Sequence, residues 1–168
     1  MASPDNRALF YRGFISLRSW TILAVLLLYI GSFIVGYSLK MPEAWLEAQY
    51  EEAVSQTPAS FIERLIQSLV SILPGYVPYF GIGYVSFNVG YMGMLAQIHP
   101  IPAAVGSAIV IMIALFPSVD STVVVSVLAV SKLKRLNIPQ DFPRRGGLQF
   151  LYSVIASIML LLIYIILT

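Results

Sequence analysis

One carboxylate sits where the chain is otherwise apolar: Asp120, in the stretch ALFPSVDSTVVV that runs from Ala114 to Val125. A group of this type in this setting points to one of two kinds of chemistry. It can bind a cation or a proton where Pro117 breaks a helix and frees backbone groups. Or Ser118 and Asp120 can cap a helix that begins there, accepting hydrogen bonds from free amides and complementing the helix dipole. A carboxylate at the centre of a membrane helix costs ~2.5–3.5 kcal/mol. Capping at an outer interface, which keeps the group wet, is therefore the favoured role.

Three further features carry possible chemistry. GIGYVSFNVGYMG places Gly83, Ser86, Gly90 and Gly93 on one strip of a helix, and small residues of this kind let backbones approach closely. Packing within the chain is the favoured use of the strip, and self-association the other. Asn88 lies on a different face with Tyr84 and Tyr91 and is expected to point into the protein, because an amide in hydrocarbon needs a partner. His99, in QIHPIP, is the single histidine, and with no cysteine and no carboxylate beside it in sequence it is expected to be an interfacial residue, not a metal ligand. Catalytic signatures are missing: there is no Gly-x-Ser-x-Gly elbow, no His-Glu-x-x-His, no phosphate loop and no Ser/Lys pair inside an apolar run. No enzyme activity, cofactor, metal or nucleic-acid partner is expected.

The elements that must position these residues follow from composition. Of 168 residues 58% are hydrophobic and only 11% charged, against about 25% charged in soluble domains. The expected class is an all-α integral membrane protein forming a single domain. Arg7, Arg12 and Arg18 precede an apolar run that is too long for a signal peptide and lacks a convincing cleavage site, so a retained first span is expected. The absence of cysteine excludes disulfides and thiol chemistry.

Residues 1–18 read as a cytoplasmic N-terminus and 20–39 as a first span, about 20 residues to cross a ~30 Å core. Residues 41–75 read as an outer acidic segment holding Glu43, Glu47, Glu51, Glu52 and Glu63. It ends in an amphipathic helix from Thr57, with Ile62, Leu65, Ile66, Leu69 and Leu73 on one side and Glu63, Arg64, Gln67 and Ser71 on the other. That helix suits a membrane surface or a neighbouring helix equally well. Residues 76–98 read as a second span, 101–116 and 118–131 as two short helices split at Pro117, 132–146 as a basic cytoplasmic loop, and 147–167 as the last span. Lys132, Lys134 and Arg135 can attract anionic lipid, but fixing orientation is their commoner role.

Parity motivates the split. The basic residues gather before the first span and between 132 and 145, and cytoplasmic loops collect Lys and Arg. Two clusters on one side require an even number of crossings between them. A single helix over 101–131 would make three, whereas two tilted spans make four and a re-entrant hairpin makes two. The expectation is five membrane segments plus one outer helix, with the N-terminus cytoplasmic and the C-terminus outside.

FGIGYVSFNVGYMGMLA and LFPSVDSTVVVSVLA together resemble the stage II sporulation protein M family of small polytopic membrane proteins, over about residues 60–135. Asn88, Gly90 and Gly93 match its Gly-rich span, with Val89 replacing a glycine. Pro117 matches its later helix, with Ser118, Val119 and Thr122 in place of the family's His, Gly and Glu. The resemblance implies a scaffold or partner-binding protein associated with envelope remodelling. The function expected is a non-enzymatic scaffold, or a subunit of a larger membrane complex with lipid and other membrane proteins as partners. The alternative is a transport component with a cation or proton site at Asp120.

Overall fold

A computed structural model describes residues 4–58 and 60–167, so residues 1–3 of the expected N-terminal stretch lie outside it. Among the described residues there are six α-helices and one 3-10 turn, and no strand. They are α1 (Pro4–Ser38), α2 (Glu43–Ser55), α3 (Phe61–Ile72), the 3-10 turn Leu73–Tyr76, α4 (Phe80–Leu95), α5 (Pro100–Leu133) and α6 (Phe142–Leu167). Three of them, α1, α5 and α6, are long and apolar enough to cross a membrane.

Side-chain contacts give the order of ends. Phe10 and Phe14 of α1 pack edge-on against Phe142 at the start of α6, and Arg145 lies over the Tyr11 ring. The start of α1, the end of α5 and the start of α6 therefore share one end, where Arg7, Arg12, Lys132, Lys134, Arg135, Arg144 and Arg145 are exposed. At the other end Gln97 Nε2 donates to the Leu39 carbonyl at 2.6 Å, covering one of the free carbonyls that close α1. Leu46 of the acidic helix α2 packs there with Leu95 and Ala103.

Between these ends the segment from α3 to α4 forms a hairpin whose apex lies within the bundle. Leu65 and Leu69 of α3 lie against Leu161 and Ile165, near the α6 C-terminus. The chain then runs inward until the backbone amide of Tyr79 donates to Thr122 Oγ1 at 3.0 Å and the Tyr79 hydroxyl meets Ser126 Oγ at 2.7 Å. Tyr79 is the apex, with φ 61° and ψ −52°. The Phe80 amide reaches the Pro78 carbonyl at 2.7 Å, which makes this a γ-turn of the rare, strained hand. From there α4 returns alongside α1 to the acidic end. Gly93 lies on the backbone at Phe33 and Tyr37, and Gly36 on that at Gly90, so close that any Cβ would collide.

Four expectations change. The second span over 76–98 is replaced by the 16-residue α4, about 24 Å long and short of a ~30 Å core. The two short helices 101–116 and 118–131 are replaced by one continuous 34-residue α5 with Pro117 inside it. The outer acidic segment holds a helix, α2, that composition did not suggest. The helix expected from Thr57 starts at Phe61, with Ser60 Oγ accepting from the Glu63 amide at 3.2 Å as its N-cap. Of the two roles open to this amphipathic helix, packing on neighbouring helices is observed for Leu65, Leu69 and Ile72, while Ile62, Ile66 and Val70 are exposed.

Candidate functional site

Proline in a helix removes the amide that would bond the carbonyl four residues back. For Pro117 that carbonyl belongs to Ile113, and Ser157 Oγ of α6 donates to it at 2.6 Å. Ser157 has one hydroxyl proton, already committed, so Tyr76 Oη, 2.6 Å away, must be the donor to Ser157. The gap left by proline is thus filled through a relay from the hairpin, through α6, to α5. This is the physical reason the helix does not end there.

One turn beyond, on the same face of α5, Asp120 is 1% exposed. Arg18 of α1 grips it as a fork, Nε to Oδ1 at 2.5 Å and Nη2 to Oδ2 at 3.2 Å, and Gln149 Nε2 of α6 donates to Oδ1 at 3.2 Å. Two parallel bonds from a guanidinium are the strongest form of carboxylate pairing. The Arg18 Cζ also lies 5.8 Å from the Phe116 ring centroid, within cation–π range. Three helices are therefore tied at a single carboxylate. The other polar groups of α5 are satisfied locally. Ser118, Ser121, Thr122 and Ser126 all donate to carbonyls of their own helix, which leaves their oxygens free to accept from Tyr29 at Ser118 and from Tyr79 at Thr122 and Ser126.

The capping role expected for Asp120 is overturned: it stands twenty residues inside α5, buried and paired. Arg18, expected only to mark the edge of the first span, is its partner, and Gln149 and Ser157 belong to no motif that marks them in the sequence. The signal available was the carboxylate itself, because a buried acid needs a cation and Arg18 directly adjoins the first apolar block.

The other expected residues lie elsewhere. Gly90 and Gly93 pack α4 on α1, whereas Gly83 faces open space, so the strip is split between two surroundings. Asn88 Nδ2 donates to the Tyr84 carbonyl of its own helix at 2.8 Å. His99, which closes the expected second span, sits at the acidic end because α4 turns back. It stacks on Tyr50, with centroids 3.8 Å apart, and its Nε2 lies 3.4 Å from Glu47 Oε2, so a carboxylate does neighbour it in space. No group of three metal-ligating side chains occurs among the described residues.

Two concavities flank these contacts. A cleft of about 260 Å³ lies between α5 and α6 beside Arg18, Asp120 and Pro117. A wider groove of about 590 Å³ runs between α1 and α4 past Gly31, Ser32, Gly36, Ser86 and Gly90. Compared with known proteins, the chain matches no family, no curated protein and no solved structure.

Proposed function

We propose that this chain is a multi-pass membrane protein in which α1, α5 and α6 span the bilayer and α3–α4 re-enters it. It acts as a non-enzymatic scaffold or as a subunit of a larger membrane complex. The basic end faces the cytoplasm, following the bias of Lys and Arg toward cytoplasmic loops. The observation that carries this reading is the closure of Asp120: the one carboxylate within the spans is consumed by Arg18 and Gln149 in holding three helices together. A cation or proton site would need that carboxylate open. The groove between α1 and α4 supports a partner-binding role, since its small residues leave backbone within reach of another helix. The resemblance to the stage II sporulation protein M family fits the same class and suggests envelope organisation as the setting.

Two measurements decide between this reading and transport. A photo-crosslinker at Leu28 or Phe87, on the groove walls, is expected to capture one membrane protein in stoichiometric amount from native membranes, and a crosslinker at Ile155 is not. Purified protein in liposomes is expected to show no ion or proton flux. Flux that disappears in Asp120→Asn would replace the scaffold reading by the transport one.

A further inference from the structure

The cleft beside Arg18 is graded along its length. Arg18, Asp120, Gln149 and Ser153 line it toward the basic end, and Met112, Phe116 and Leu160 continue it toward the middle of the bundle, where Ser157 is committed to the Ile113 carbonyl. The gradient runs the same way on α5 and α6 although the two helices are antiparallel, so it belongs to the cleft and not to either sequence alone. Arg18 has five N–H groups. Two are held by Asp120, and the others find no acceptor among the described residues, while 27% of the side chain remains exposed. A guanidinium edge left bare at the mouth of an apolar-walled cleft is open to an acceptor from outside the chain. Arg12 stands six residues away on α1, and Arg144 and Arg145 four to five residues from Gln149 on α6. At ~1.5 Å per residue all three lie within about 10 Å along the helices, within a Debye length of the same anion, with Arg145 also paired to Asp141 at 2.7 Å.

We propose that this cleft binds one anionic phospholipid from the leaflet at the basic end, its phosphate on the free edge of Arg18 and an acyl chain along Met112, Phe116 and Leu160. Asp120 is the positioning residue: it fixes the guanidinium plane so that the unpaired N–H groups face the opening. The site rests on the membrane placement proposed above but not on the scaffold role, so either can fail alone.

The test is native mass spectrometry of the purified protein in detergent, with phosphatidylglycerol, phosphatidylcholine or inorganic phosphate added. Phosphatidylglycerol is expected to be retained as a one-to-one adduct over phosphatidylcholine by about fivefold or more, the factor supplied by one added basic contact at a membrane surface. Ala156→Trp, which fills the exposed wall without touching the ion pair, is expected to abolish that retention with Tm unchanged. The neutral pair Arg18→Gln/Asp120→Asn is expected to retain both lipids equally. Equal retention by the native chain, or a preference that survives in both variants, overturns the proposal. Displacement of the lipid by millimolar inorganic phosphate does so too, since it would assign the site to a free anion.

Discussion

Asp120 accepts three hydrogen bonds inside the bundle, two of them from a guanidinium, and its replacement should be felt across three helices at once. Asp120→Asn keeps the shape and deletes the charge, leaving Arg18 partly buried without a counter-ion. Breaking a buried pair costs about 3–5 kcal/mol, and the partial exposure of Arg18 puts this case at the lower end. Thermal unfolding in detergent micelles is expected to show the loss, and Arg18→Gln/Asp120→Asn to recover most of it, because a neutral pair has no charge to leave stranded. A double variant no more stable than the single one would mean the pair is not coupled. Ser157 offers a second residue-level test. Ser157→Ala removes the donor to Ile113 and the acceptor of Tyr76, a loss of about 1–3 kcal/mol. In a Pro117→Ala background the restored amide at 117 satisfies Ile113 itself, so the same substitution should cost less there by about 1 kcal/mol. An undiminished cost would show that Ser157 is not standing in for the missing amide.

At the scale of elements, α4 depends on how closely it can lie on α1. Gly93→Ala places a methyl on the backbone at Phe33 and Tyr37, and spreading the helices to admit it is expected to cost about 1–3 kcal/mol. Gly83→Ala meets open space and should leave the protein as stable or up to about 1 kcal/mol more so, since alanine is the better helix former. Equal effects in an unfolding assay would contradict the assigned packing. The same two glycines show where the sequence was informative. A strip of small residues announced close packing but not its partner, and geometry separates Gly83 from Gly90 and Gly93. The long apolar runs of α1, α5 and α6 were legible because burial in lipid or in a core demands the same composition along a whole helix. Pro117 misled because its remedy is a hydroxyl 44 residues away from the carbonyl it serves. Asp120 misled for the same kind of reason: its cation lies 102 residues distant, beyond any local pattern.

For the molecule as a whole, the split at Pro117 that parity motivated is not found. The two basic clusters do share an end, yet the extra turn back is made by α3–α4 and not at Pro117. The chain contains no cysteine, so single replacements can be labelled one at a time with an impermeant maleimide. Cysteine at Arg12 and at Lys134 is expected to react from one side of the membrane, and cysteine at Glu51, Glu63 and Ile101 from the other. Ile101 decides the matter, because a spanning α4 would put it with Arg12. Reaction of Ile101→Cys from the Arg12 side would return α4 to a full crossing.

The strained apex at Tyr79 is held by Thr122 and Ser126, both of which are synthesised later than the hairpin they steady. During translation α4 can pack on α1, which precedes it, but the bend at Tyr79 gains these partners only once α5 has been made. The bend at Tyr79 is then among the last features of the protein to settle, and arrested chains ending before Ser118 should leave it open to protease attack from the acidic side.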